Sequence, residues 1–333
     1  MKCGGFAKAG FLAAVLSAWG ALLMAPGCSP RGLEQQAGGE RLANKRLRFV
    51  FIAPTMNEEF FRPVKKGMRD AAAMLDVECE FTGTVDVNLE KQAQLVLDAM
   101  ARGCDGIALD IIDPTAFDRV AQAAADRGVP LVAFNVDDHA TPNLRLSAVC
   151  QNLYEAGRRM GRRLADRIPD KSRIVVTMHS SGISALEDRR RGIQEALAAK
   201  HPSWKVVITG AEPGPAADAI AKALAEDPSI RAVLCTGQAD TEGAGLAVER
   251  LGKDKGCLVA GFDLSPEILR LIQAGIVESS IDQQPYAQGF YPVVQLALRC
   301  RYGILPSNMD TGAAFVTREN AAAVSELCGK EYR

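Results

Sequence analysis

From Leu47 onward, short apolar runs alternate with longer stretches whose apolar positions recur at helical spacing. The first run, residues 47–53, has the β-branched and aromatic bias of a buried strand and breaks at Pro54. A polar turn, residues 55–59, then leads to two adjacent rings, Phe60 and Phe61, and a helix is predicted from about Phe61 with Pro63 in its first turn. Strands are predicted over residues 77–82, 105–109 and 129–134, with helices over 88–102 and 114–127, the second started by Asp113. Gly103, Gly128 and later Gly275 follow the last turns of helices, where a left-handed cap is wanted. The rhythm pauses at 137–149, a loop with a short linking strand, and restarts. The second set alternates helices at 152–167, 184–200, 216–226, 241–251 and 266–274 with strands at 173–178, 204–209, 231–235, 257–262 and 277–281. A helix at 285–301 and a strand at 313–316 close the pattern. Short buried strands alternating with amphipathic helices predict an α/β chain with two doubly wound parallel-sheet lobes.

The length of 333 residues suits two such lobes at roughly 100–200 residues each. A net charge of −1 argues against a nucleic-acid partner, which would call for a basic face. The first residues stand apart. Lys2 and Lys8 precede an apolar run over residues 9–24, the pattern of a signal peptide at 1–27. The run ends in LLMAPGC, which resembles a bacterial lipoprotein signal with Cys28 as the acylated first residue. Ordinary cleavage without a lipid is the competing reading. Residues 28–46 are polar, glycine-containing and aperiodic, and read as a flexible tether. An exported domain is expected, in the periplasm or on the outer face of a membrane, with membrane contact through the Cys28 lipid.

Nine cysteines are scattered without a CxxC pair. Export permits disulfides, and Cys79 with Cys104 or Cys235 with Cys257 lie on consecutive strand regions. Buried free thiols are the preferred reading for most of them.

Ligands of open parallel sheets bind outside the carboxyl ends of the strands. That rule selects Asn57, Phe60 and Phe61 after the first strand, Asp110 after the third, and Asn135 and Asp137 after the fourth. In the second set it selects His179, Gln238, Asp240, Asp263, Asp282 and Gln283, with Arg189 on the helix after residues 173–178. Asp, Asn, Gln and Arg exchange fixed hydrogen bonds with hydroxyls, and aromatic faces stack on C–H surfaces. The set suits a sugar or polyol. Each feature also has a plainer reading. The two Phe can cap the core, and strand-end Asp, Asn or Ser can cap the next helix, the preferred reading for Asp113, Asp138 and Ser265. Of Arg189, Arg190 and Arg191, one is expected to face a cleft while the other two are solvated.

Catalytic patterns are absent. His139, His179 and His201 lack zinc-binding spacing, and there is no GxSxG elbow, no GxxxxGK[ST] loop and no GxGxxG after a strand. Glu58-Glu59 and Asp137-Asp138 sit side by side, whereas glycosidase carboxylates must flank a bond. No cofactor, metal or enzymatic activity is expected.

The pieces APTMNEEFFRPVKKG, CDGIALDIIDP, GVPLVAFNVDD, SALEDRRRG, GFDLSPE and SSIDQQP, in that order, resemble the type I periplasmic solute-binding proteins of the ribose-binding kind, the receptors of sugar ABC importers. The resemblance implies two lobes joined by a three-strand hinge near residues 148–152, 282–285 and 303–312. It divides the chain into 47–148 plus 285–303 for the first lobe and 149–284 plus about 312–333 for the second. It implies that Phe60 and Phe61 stack on the ligand, that Asn57 bonds it, that Arg189 and Asp263 meet its hydroxyls, and that Gln283 stands at the end of the last second-lobe strand. Asn135-Val136 stands where the sugar receptors often have Asp-Arg, leaving Asp137 as substitute. Gly237 stands where an Asn is usual, leaving Gln238 or Asp240. These departures point to a polyol, cyclitol or sugar other than ribose. The expected function is binding in an interlobe cleft and delivery to an ABC permease in the cytoplasmic membrane, by a monomer. The alternatives are a ligand-sensing module for a membrane signalling partner and a secreted carbohydrate-active enzyme.

Overall fold

The computed structural model describes residues 46–333 apart from 57–58, 114, 138–142 and 253–255. The expectations for the signal peptide, Cys28, nearly all of the tether, Asn57 and Asp138 lie outside the described residues.

Two six-stranded sheets organise the described chain. In the first, β1 (Arg48–Ala53) lies between β2 (Glu78–Gly83) and β3 (Gly106–Leu109), followed outward by β4 (Leu131–Asn135), β5 (Ser147–Cys150) and the short β11 (Met309–Asp310), all parallel. In the second, β6 (Arg173–Met178) lies between β7 (Ser203–Ile208) and β8 (Ile230–Cys235), followed by β9 (Leu258–Phe262) and β10 (Ser279–Asp282). β12 (Ala314–Val316) closes that sheet antiparallel to β10. The α/β class with two parallel-sheet lobes is thus the observed one.

Parallel neighbours need crossover helices, so both faces are covered and the inner strands are apolar throughout. β1 shows how the period of two serves this. Phe49 and Phe51 pack on one face with Val64, Phe134 and Leu296, while Val50 and Ile52 pack on the other with Val96, Leu109 and Val120. The helices are α1 (Phe61–Leu75), α2 (Leu89–Ala101), α3 (Asp118–Asp126), α4 (Leu153–Leu164), α5 (Ser184–Ala196), α6 (Pro213–Glu226), α7 (Gln238–Arg250), α8 (Pro266–Gln273), α9 (Pro285–Tyr302) and α10 (Ala321–Gly329).

Caps explain several boundaries. Asn88 accepts from Lys91 N at 2.9 Å, Asn152 from Glu155 N at 3.0 Å, and Ser265 from Ile268 N at 3.0 Å, starting α2, α4 and α8. Asp113 accepts from Thr115 N and Ala116 N, both at 2.9 Å, but these belong to a turn, and α3 begins only at Asp118. Gly103, Gly128 and Gly275 hold φ of +73°, +68° and +78° beyond α2, α3 and α8. Cys79, Cys104 and Cys235 carry free thiols, so neither disulfide considered from the sequence is formed.

The chain passes from one sheet to the other three times: from β5 into α4, from β10 into α9, and from β11 into β12. Each lobe keeps one backbone-to-backbone helix pair beside these crossings. A methyl group on Gly67 of α1 would lie 2.1 Å from Tyr286 O of α9, and one on Gly289 would lie 1.9 Å from Val64 O. In the other lobe, Gly157 of α4 and Gly192 of α5 stand in the same relation, with Arg189 O at 2.2 Å and Tyr154 O at 2.1 Å.

Candidate functional site

The carboxyl ends of β6, β8, β9 and β10 converge on one buried polar group. Arg189 of α5 is its centre, and Gly157 lets α5 approach α4 closely enough to bring it there. Its Nη1 donates to Thr236 O at 2.8 Å, its Nη2 donates to Gln151 Oε1 at 3.0 Å, and its plane lies over the Phe262 ring at 4.2 Å. Asp263 Oδ2 stands 3.6 Å from Nη1, and Asp263 Oδ1 accepts from Gln283 Nε2 at 2.6 Å. Arg189 Nε, fully enclosed, has no hydrogen-bond partner among the described residues. Burial pulls the Arg189 pKa down, opposed by the Asp263 and Asp240 carboxylates. Burial also pushes the Asp263 carboxyl above the usual range, opposed by Arg189 and Gln283.

Backbone strain gathers at strand ends of both lobes. Asn135, Asp263 and Gln284 all hold left-handed φ, at +62°, +69° and +59°. Asn and Asp tolerate that region better than most side chains, which accounts for their presence directly at or after a strand. Backbone strain of this kind persists where surrounding bonds over-determine it.

The network also reaches all three crossings. Gln151, after β5, donates to Gly312 O at 2.7 Å. Gln284, after β10, donates to Thr311 O at 2.6 Å, and Gln288 donates to Thr311 Oγ1 at 3.1 Å. Gln151, which holds Arg189, and Gln288, which donates to the Gln283 that holds Asp263, therefore also tie down the passages between lobes. Across the lobes, Ser184 Oγ at the start of α5 donates to Ile112 O at 3.2 Å, and Ala185 joins the core of the first lobe.

Beside Asp263 lies a cavity of about 360 Å³, within the size range of small-molecule sites. Phe60, Arg62 and Pro63 wall it from the first lobe, and Gln238, Asp263 and Leu264 from the second. Cys328, Glu331 and Arg333, at and beyond the end of α10, add a third side. Arg333 Nη1 donates to Asp282 Oδ2 at 2.7 Å.

The residues selected from the sequence fall into three groups. Phe60, Gln238 and Asp263 line the cavity, and Arg189 and Gln283 stand behind Asp263. Asn135 donates from Nδ2 to Asp110 Oδ2 at 2.7 Å, and Asp137 pairs with Arg145, both within the first lobe. Phe61 and Asp240 are built into the lobes themselves. The Phe61 ring is 2% exposed and packs 5.5 Å from Phe81, while Phe60 meets it edge-on at 5.1 Å. Asp240 Oδ2 accepts from Thr177 Oγ1 at 2.6 Å and Thr236 N at 2.8 Å, tying β6 to β8. Burial raises the Asp240 pKa to about 6.

Sequence reasoning missed Gln151, Arg145 and Arg333. The strand-end rule applied to β5 would have found Gln151, which follows Cys150. Nothing local marks the other two.

Chemically, the group offers a carboxylate acceptor and a guanidinium donor fixed within one dry wall, opposite an aromatic ring. A ligand hydroxyl in the cavity can donate to that carboxylate, which the guanidinium behind it holds in place. Bonds of this charge-assisted kind contribute about 1.5–3 kcal/mol each. Among the described residues, no cluster of three or more His, Cys, Asp or Glu could hold a metal ion, and no helix is long and apolar enough to cross a membrane.

Residues 49–301 match the family model of a periplasmic binding protein domain. The chain is 31% identical over 341 aligned residues to the xylose/arabinose-binding protein of Sulfolobus acidocaldarius, covering 94% of this chain and 84% of that one. It is 24% identical over 256 residues to the D-allose-binding periplasmic protein of Escherichia coli, covering 71% and 79%. A solved carbohydrate transporter from Acidothermus cellulolyticus in complex with myo-inositol matches with a TM-score of 0.78 at 28% identity, covering 87% of this chain and all of that one.

Proposed function

The chain belongs to the periplasmic binding protein family, and from that premise we propose that it takes a sugar or polyol into the cleft beside Asp263 and delivers it to an ABC-type permease. The observation that carries this reading is the Arg189–Asp263–Gln283 group, buried at the strand ends of one lobe against a cavity faced by Phe60 of the other. Polar partners on one side and a ring on the other match the two faces of a pyranose or cyclitol. The relatives named for xylose, arabinose and allose, and the neighbour solved with myo-inositol, support the same ligand class. Both walls contact a ligand only when the lobes are together, so binding shifts the population toward the closed form that a permease would recognise. No turnover is part of this function. Export, with acylation at Cys28 and a monomeric state, completes the proposal; no palmitate labelling of the native protein would remove the lipid from it, and labelling that survives Cys28→Ala would remove Cys28 as its site.

A thermal-shift screen of pentoses, hexoses, polyols and inositols tests the ligand class. A compound at 100 times its Kd adds about 2.7 kcal/mol of stability. A clear shift is expected with at least one of them. A shift confined to nucleosides or amino acids would overturn the reading.

A further inference from the structure

Helix α10 belongs to the second lobe. Ala321 is fully buried in that lobe's core, and Val324 and Cys328 pack against the same cluster as Ile268 and Ile272 of α8. The residues beyond it belong to neither lobe alone. Tyr332 N donates to Leu327 O at 3.0 Å and Glu331 N donates to Cys328 O at 2.9 Å, the paired bonds of a Schellman turn. The left-handed position of that turn, φ +59°, is held by Glu331, where glycine would be unstrained. The turn aims three consecutive side chains away from α10. Glu331 reaches Arg69 of α1 at 3.4 Å. The Tyr332 ring lies 5.1 Å from that of Tyr286 at the start of α9, with Lys66 Nζ over it at 4.7 Å. Arg333 turns back to Asp282, the last residue of β10, whose side chain is 3% exposed. Lys66 and Tyr286 are themselves joined through Asp70, at 2.9 Å each.

We propose that Glu331 and Tyr332, anchored on the second lobe by the bond of Arg333 to Asp282, form a clasp onto α1 and the start of α9 in the first lobe, which holds the cleft shut and sets how far it opens without ligand. Three features carry this. A helix that merely had to end would be better served by glycine at position 331, so the glutamate answers to something beyond the turn, and Arg69 is its partner. The clasp bridges elements on opposite sides of the β10-to-α9 crossing, which must change angle if the lobes part. Glu331 and Arg333 also wall the cavity, so releasing them opens a route to Asp263. The inference rests on the proposed cleft for its meaning, but its test needs no ligand.

Small-angle scattering of the ligand-free full chain reads the interlobe opening directly. Three variants are compared with the native protein: Glu331→Ala/Tyr332→Ala/Arg333→Ala, Glu331→Gly, and Lys66→Ala/Arg69→Ala. The third alters only the receiving side and leaves the α10 turn intact, so it decides the matter if the first fails to fold. Glu331→Gly relieves the strained turn while removing the contact to Arg69. A larger radius of gyration is expected for all three, with amide exchange in α1 faster by on the order of tenfold for the triple variant. Expansion in the Lys66/Arg69 variant with unchanged exchange inside α10 supports the clasp. A scattering curve equal to the native one in that variant overturns it, whatever sugar the protein proves to bind.

Discussion

Arg189 Nη1 stands 3.6 Å from Asp263 Oδ2, and neither side chain is more than 7% exposed. The guanidinium has two further acceptors, Thr236 O and Gln151 Oε1, so removing the carboxylate leaves it solvated by protein. For Asp263→Ala, the expected cost is therefore at or below the lower end of the 3–5 kcal/mol range for breaking a buried pair, about 3 kcal/mol at most. Unfolding should stay cooperative. Any sugar that raises the melting temperature of the native protein should cease to do so with the variant, and isothermal titration should show no heat of binding. Persisting affinity would take Asp263 out of the site.

Phe60 and Phe61 are neighbours with different surroundings. Phe61→Ala should destabilise by about 3–5 kcal/mol, because a ring buried among Phe51, Val64 and Phe81 leaves a cavity. Phe60→Ala should cost about 1 kcal/mol in the free protein and act mainly on ligand affinity. Urea denaturation of the two variants measures this, and the reverse ranking would show that Phe60 is the ring holding the core.

Gly157→Ala presses a methyl group onto the backbone of Arg189. Overpacking of this kind costs about 1–3 kcal/mol and displaces α5, so stability and ligand affinity should fall together. Gly214 in α6 provides the contrast, since a methyl group there meets nothing within 4 Å. Gly214→Ala, at an exposed position in the first turn, should change stability by no more than about 0.5 kcal/mol and leave binding unchanged. Equal effects at the two glycines would remove the close approach as the cause.

Asp240 titrates at about 6 in the folded protein, because burial penalises its anion, against 3.8 ordinarily. The folded state thus holds this proton more tightly than the unfolded one. Its contribution to stability falls as pH rises from about 4 to about 6 and is level above that window. Asp240→Asn removes the titration. Native stability relative to the variant should decline by up to about 3 kcal/mol across the window, as read from urea midpoints at several pH values. An increase instead would mean that the bonds from Thr177 and Thr236 outweigh burial.

Most of the architecture was legible because parallel strands buried on both faces leave continuous apolar runs, and because Asn88, Asn152 and Ser265 mark helix starts chemically. The short β11 and helix α10 were not. β11 has two residues, and α10, AAAVSELCG, is rich in small side chains and fully buries only Ala321. At the site, the strand-end rule led to Phe60, Gln238 and Asp263, which share one cavity. It could not separate Phe60 from Phe61. Successive residues at a helix start point about 100° apart, and which of them faces the core is decided by α9, far along the chain. Arg333 was invisible for the same reason, since its partner Asp282 lies at the end of β10, whereas Arg145 stands only eight positions from Asp137, in a connection with no helical or strand period to relate the two.

The three passages between sheets have a consequence for the order in which the protein can be finished. The first sheet lacks its outer strand until Asp310 is available, and the helix that covers β3 and β4, α9, does not begin until Pro285. The second sheet waits for β12 at Ala314. A chain emerging from the ribosome therefore carries two unfinished cores for nearly the whole of its synthesis. Contacts this distant in sequence slow folding and leave apolar surface open to chaperones. For the export proposed above, late closure would keep the polypeptide in a form that a translocation channel can accept.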